Sequence, residues 1–249
     1  MVELPATMCL FLNLRKCVTH RYWWAMSLAE QYSPRKLYQQ WKGYRFDRLY
    51  GIDTNRVMAV SEIGVETEEA QHATRYRATS VGFLRYLFKR NPVACENFVF
   101  VDLGSGKGRV LIEAASFPFK RIIGVEFSRR LHRVAEESVS RYEARNKSKS
   151  CIELQCNSAT EFAPPTENTI FYLYNPFDAD ILSKAIQNLK ISLRQVHRKI
   201  LIVYLNPRWC SLIEATGIFE LVEAGRYGPD DYRVYATREH SSCNGQQDT

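Results

Sequence analysis

Two short stretches hold the residues whose types and spacing could do chemistry. In FVFVDLGSGKGRVLIEAASFPFKRIIGVEFS, residues 98–128, Asp102 is followed by Gly104, Gly106 and Gly108, and Glu126 closes the stretch. In TIFYLYNPF, residues 169–177, the apolar run ends in Asn175, Pro176 and Phe177. Glycines at alternate positions suit a turn that takes positive φ or lets a ligand approach the backbone. The spacing separates the ligand classes that use such turns. A dinucleotide fingerprint needs G-x-G-x-x-G, and Arg109 stands where its third glycine belongs. A phosphate-binding P-loop needs G-x-x-x-x-G-K-S/T, but Lys107 is followed by Gly108. An acid just before the first glycine repels a diphosphate. It suits a ligand carrying a positive ammonium and sulfonium.

The elements that must position these residues follow from patterning. Phe98 to Val101 are apolar and end at Asp102, as a buried strand would. RVLIEAA has helical composition, with Val110, Leu111 and Ala114 on one buried face. A second strand spans Arg121 to Val125 and ends in Glu126. Strand, glycine turn, helix, strand and acid make a nucleoside-binding βαβ half of a doubly wound sheet.

VDLGSGKG followed by GVE resembles the motifs of class I S-adenosylmethionine-dependent methyltransferases. The resemblance implies S-adenosylmethionine as cofactor. It places the glycine turn, Leu103 to Gly108 including Ser105, along the methionine part. Asp102 then holds the amino acid end, and Glu126, followed by Phe127, accepts the ribose hydroxyls. Asn157, followed by Ser158, stands where relatives put an acid that accepts the adenine amino group. Arg75, Tyr76 and Thr79, in HATRYRATS, fall where the family's loop borders the methionine end. The glycine stretch is also similar to that of the non-SET histone-lysine methyltransferases, and the chain looks like bacterial stand-alone methyltransferases with a strand-four NPF motif. Asn175-Pro176-Phe177 resembles the Asn/Asp-Pro-Pro-aromatic motif of amino-group methyltransferases, with one proline instead of two. There a side-chain oxygen takes the acceptor's N–H, and an aromatic ring stacks on the acceptor or faces a cation. These three are the catalytic candidates. The resemblance implies methylation of an amino nitrogen. An oxygen methyltransferase of a small metabolite and a non-catalytic cofactor-binding or partner subunit stand as alternatives.

The rest of the chain is consistent with an α/β fold. The resemblance implies a Rossmann-like, seven-stranded, mostly parallel sheet with a final antiparallel hairpin and helices on both faces, and an N-terminal helical extension is expected before it. Helices are expected over residues 20–50, with breaks near Ser33-Pro34 and at Gly43. Another is expected from Glu66 to Arg90, stopped by Asn91-Pro92. Further helices should cover Arg129 to Arg145, Asp178 to Arg194 and Trp209 to Thr216. Short strands should cover Cys151 to Gln155 and Ile200 to Leu205. Phe219 to Val222 and Tyr232 to Ala236 should pair through the loop AGRYGPDD. The boundaries this suggests are 1–68 for the extension, 69–240 for the cofactor domain and 241–249 for a disordered tail.

At 249 residues and 45% apolar content, the chain can bury a core. No run approaches the ~18–20 apolar residues of a membrane span. Its seven cysteines form no C-x-x-C pair, which argues against zinc or a disulfide framework and for a reducing, cytoplasmic setting. No metal is expected, and no histidine is placed as a base. The net charge of +7 is uneven. Residues 1–60 hold nine Lys/Arg against four Asp/Glu, and the remaining 189 hold 25 against 23. Tyr22, Trp23, Trp24, Tyr38, Trp41, Tyr44 and Phe46 interleave with the basic residues of this head. Such interleaving can bind nucleic acid. The excess of +5 is modest, however, so the aromatics are read as packing on the core or covering the site, and nucleic acid is the less favoured partner. The acceptor itself is not legible.

Overall fold

A computed structural model describes residues 34–58, 78–146, 152–174 and 177–238. The elements, in chain order, are α1 (Pro34–Tyr50), α2 (Phe83–Arg90), β1 (Val99–Leu103), α3 (Arg109–Ala114), β2 (Arg121–Val125), α4 (Arg129–Asn146), β3 (Ile152–Gln155), β4 (Thr169–Tyr174), α5 (Ala179–Gln195), β5 (Ile200–Leu205), α6 (Cys210–Glu214), β6 (Phe219–Tyr227) and β7 (Asp230–Thr237). The strands form one seven-stranded sheet in the order β3-β2-β1-β4-β5-β7-β6. The first five run parallel, and β7 pairs antiparallel with both β5 and β6. Order reverses between β1 and β4, so the carboxyl ends of these strands form the crevice where such sheets bind ligands.

Both faces of the sheet are covered, which is why its central strands are buried at consecutive positions rather than at alternate ones, and apolar there apart from Asp102 in β1 and Thr169 in β4. On one face Val99, Val101, Leu103, Phe171 and Leu173 pack under Leu182, Ile186 and Leu189 of α5. On the other, Phe100, Ile122, Ile170 and Tyr172 pack under Phe83, Leu84 and Leu87 of α2 and Val110 and Leu111 of α3. Gly124 allows the close approach of α3. A Cβ there would stand 2.4 Å from Leu111 Cδ1 and 3.0 Å from Ser105 Oγ.

The helix α1 forms an additional layer outside α3 and α4. Ile52, Ile112 and Tyr142 are buried between them, with Phe46 and Tyr50 against the cluster. Three expectations are corrected here. Gly43 does not break α1, which runs through it. Instead the Asn55 Oδ1 lies 2.4 Å from where a Cβ would be, so the glycine lets the following loop seat on the helix. The last hairpin is longer than expected, because β6 and β7 run through most of AGRYGPDD and leave Gly228-Pro229 as the turn. The helix before β1 is short. It starts at Phe83, residues 78–80 are not helical, and residues 59–77 lie outside the described residues. Asn91 caps its end, as expected. The expected tail, 241–249, also lies outside the described residues.

Candidate active site

The glycine turn is built by the sheet it leaves. Gly104 N and Ser105 N both donate to Val125 O, at 2.9 and 3.0 Å, which ties the turn to the end of β2. Gly108 N closes it onto Ser105 O at 2.9 Å. Gly104, Gly106 and Gly108 have φ of 82°, 55° and 81°, a region that favours glycine. Gly108 also lies against α4, where a Cβ would meet the Ala135 Cβ at 3.3 Å.

Two carboxylates flank the turn, both only 3% exposed. The Glu126 Oε2 accepts from Gly106 N at 2.8 Å and its Oε1 from Ser128 N at 2.9 Å. These bonds fix its orientation. Phe127 N–H also acts on this carboxylate, and with about four acceptor sites it keeps room for a further hydroxyl donor. Burial pushes Glu126 up to about 7, against the opposing pull of the backbone N–H groups. Burial also holds Asp102 well above the ordinary carboxylate range, with the nearby Glu126 charge adding to the effect. Two buried acids side by side are a poor pair alone and a good one for a cation that also offers a diol. The residues present therefore fit a positively charged nucleoside.

The third strand continues the ring. Glu126 N donates to Gln155 O, and Asn157 N to Glu126 O at 3.2 Å. The Asn157 Oδ1 accepts from Ser158 N at 2.8 Å, so one of its lone pairs is in use and the other remains. Ser158 Oγ and Thr160 Oγ1 share a hydrogen bond. Phe127 is half-buried beside Glu126, and Leu103 belongs to the core. Ser105 Oγ is buried in the turn and meets no hydrogen-bond partner among the described residues.

Among the remaining candidates, Thr79 is buried: its hydroxyl pairs with Tyr172 OH at 3.0 Å, and its carbonyl accepts from Arg109 Nη1. Phe177 is 8% exposed and packs in the core cluster with α5, so its ring does not offer an open stacking face. Arg75, Tyr76, Asn175 and Pro176 lie outside the described residues. Asn175 directly follows Tyr174, the last residue of β4.

Sequence reasoning missed a buried polar network behind the turn. Arg109 is 4% exposed and donates to Thr54 Oγ1 at 2.7 Å, Thr79 O at 3.2 Å, and Asp47 Oδ1 and Asn55 Oδ1 at 3.3 Å. Asp47 in turn accepts from Thr54 and Asn55. Lys107 is also buried, with Nζ on Arg56 O at 3.1 Å and Asp53 at 3.8 Å. Glu113 is pushed up to about 7 by burial, and its Oε1 accepts from Gly82 N at 2.6 Å, just before α2. One signal was present in the sequence: Arg109 stands where a close-packing glycine would otherwise be expected.

The family model described as Conserved hypothetical protein 95 matches residues 71–236. A candidate RNA methyltransferase from Pyrococcus horikoshii aligns at 13% identity over 83% of this chain and 99% of its own, with a TM-score of 0.52. The ribosomal protein L11 methylase of Lactobacillus delbrueckii subsp. bulgaricus aligns at 19% identity over 62% and 76%, with a TM-score of 0.46. An RNA methyltransferase from Salinibacter ruber, in complex with S-adenosyl-L-homocysteine, aligns at 16% identity over 65% and 94%, with a TM-score of 0.43. At such identities the likeness shows the fold. No curated protein matches the sequence. Fold and family together define a class I S-adenosylmethionine-dependent methyltransferase, with S-adenosylmethionine as methyl donor. Within that class, the chain belongs to the Conserved hypothetical protein 95 family. Among the described residues no helix is long and apolar enough to cross a membrane, and no group of His, Cys, Asp and Glu could hold a metal.

Proposed function

We propose that this chain methylates an amino nitrogen of its acceptor by direct in-line displacement. The observation that carries the reading is the pair of buried acids, Asp102 and Glu126, on either side of a positive-φ glycine turn. Asn175 follows the strand that neighbours β1 across the switch point. Asp102 takes the ammonium of the methionine end, Gly104 to Gly108 admit the chain of that end, and Glu126 takes the ribose hydroxyls. Asn157 offers its remaining lone pair to the adenine amino group. S-adenosylmethionine, when bound, supplies a methyl group on a positively charged sulfur, a leaving group already activated.

The protein's work is then alignment. Asn175 accepts a hydrogen bond from the acceptor's N–H and holds the nitrogen lone pair toward the methyl carbon. Such alignment can supply several kcal/mol of the barrier, up to about 7–11 in favourable intramolecular models. An aromatic amine needs no prior deprotonation. A lysine amine must first lose its proton, which a desolvated pocket favours.

The test is the Asn175→Ala variant. Turnover should fall roughly a hundredfold while cofactor affinity stays within a factor of about two, because the bond forms at the reacting amine. Equal loss of cofactor affinity would make Asn175 a cofactor ligand instead. A methyl donor labelled with carbon-13, followed by NMR of the product, separates N-methyl from the alternative O-methyl acceptors by the chemical shift of the transferred carbon.

A further inference from the structure

The outward side of α1 carries chemistry that methyl transfer does not use. Tyr38, Trp41, Lys42, Arg45 and Arg48 recur at three- and four-residue spacing and share one helix face. The sequence pattern suggested that such aromatics would be buried, but Tyr38 is 56% exposed and Trp41 49%. Their rings stack, with centroids 5.9 Å apart and planes 25° from parallel. The Arg45 guanidinium lies 4.7 Å from the Trp41 ring centre, and Lys42 Nζ 5.7 Å from that of Tyr38. Together with Arg145 of α4, these side chains line a groove of about 940 Å³, and among the described residues no carboxylate lines it. The single acid of α1, Asp47, is turned inward onto Arg109. That buried pair, with Asn55 seated on Gly43, fixes the helix against the elements that carry the glycine turn.

We propose that this groove seats a single strand of nucleic acid. Phosphates lie against Arg45, Arg48 and Arg145, and an unpaired base extends the Tyr38–Trp41 stack. Base stacking on aromatic rings within a positive groove is the way sequence-tolerant single-strand binders work. An acidic protein segment would be met by the cations alone and would leave the flat ring faces unused. A duplex hides its base faces and could not extend the stack. The groove is distinct from the cofactor site, and the proposal does not depend on the acceptor being a nitrogen.

The test uses the full chain and a labelled single-stranded RNA oligonucleotide of mixed sequence, followed by fluorescence anisotropy across a salt series. Binding is expected at low salt, with log affinity falling linearly against log salt. Trp41→Ala should weaken it about tenfold. The double variant Arg45→Ala/Arg48→Ala should make the salt slope shallower by about 1.4, the value for two single-strand phosphate contacts. A thermal shift on adding S-adenosylmethionine, retained in every variant, shows that fold and cofactor site are intact. Loss of that shift in wild type would count against the cofactor reading and not against this one. Absence of RNA binding at low salt would overturn the proposal. So would affinity unchanged by either variant, or competition by polyglutamate or by duplex equal to that of the unlabelled single strand.

Discussion

Glu126 sits between two demands. Its backbone partners hold it in place, while burial pushes it up to about 7. Ribose hydroxyls donate only to the ionised carboxylate with both oxygens accepting, so binding and deprotonation favour each other. Cofactor affinity should therefore rise as pH passes upward through about 7, and Glu126→Gln should flatten that rise. Calorimetric titration at pH 6 and pH 8 checks this. Affinity equal at the two pH values in wild type would remove the assignment. Gly124 makes a second prediction at this scale. A methyl group there must displace Leu111, which is fully buried. Gly124→Ala should cost about 1–3 kcal/mol in urea denaturation, as overpacking does. Leu111→Ala in the same chain should make the added methyl nearly neutral. These residue-scale features were partly legible. The glycines, Asp102 and Glu126 stand in a recognisable order, because a strand–turn–helix that admits a ligand demands those types there. For Thr79 and Phe177, no pattern in the sequence says that the hydroxyl of the first turns to Tyr172 and the ring of the second into the core.

The most consequential element is α1, and its role was the least legible. The helix bears five basic residues and one acid, and the periodicity of its aromatics suggests a buried face. The structure buries Gly43 and Asp47 and leaves Tyr38, Trp41 and Tyr44 exposed. What orients the helix is a long-range ion pair between Asp47 and Arg109, 62 residues apart, which no local pattern records. Truncating one partner strands the other. Asp47→Ala should lower stability by about 3–5 kcal/mol, because Arg109 stays buried without its counter-charge. Replacing both with apolar residues, as Asp47→Leu/Arg109→Met, should cost clearly less than the single change. Chemical denaturation of the two variants measures the difference. A single variant as stable as wild type would mean that α1 is not held by this pair. The last hairpin shows the opposite case. Its strands were legible, but pairing carried them through a glycine- and aspartate-rich stretch that local propensity assigns to a loop.

At the scale of the whole molecule, three buried carboxyls among the described residues are held above their ordinary values, chiefly by burial: Asp102, Glu113 and Glu126. These three groups thus bind more protons in the folded chain than in the unfolded chain between the ordinary carboxylate range and about 7. Their contribution to stability falls as pH rises through that window. Without cofactor, the protein should be more stable near pH 5.5 than near pH 8, the reverse of a protein dominated by carboxylates in ion pairs. Glu113→Gln keeps an acceptor for Gly82 N and should reduce the dependence. Urea midpoints across the range test this, and a midpoint that rises with pH would contradict it. The mostly parallel seven-stranded sheet and its final antiparallel hairpin were legible through the family resemblance and the βα alternation, while the order of the strands came from the structure. The outer layer that α1 adds was not, since it rests on contacts between segments far apart in sequence.

The central claim is that Asp102, the glycine turn and Glu126 hold S-adenosylmethionine. The most direct measurement is calorimetric titration of the cofactor into wild type and Glu126→Ala, with NAD as control and melting temperature recorded for both. The account predicts micromolar binding to wild type, none of NAD, and affinity at least about tenfold weaker in the variant, as the loss of a charge-assisted hydrogen bond implies. Equal affinity in a variant that melts like wild type would mean that the carboxylate at the end of β2 does not touch the ligand.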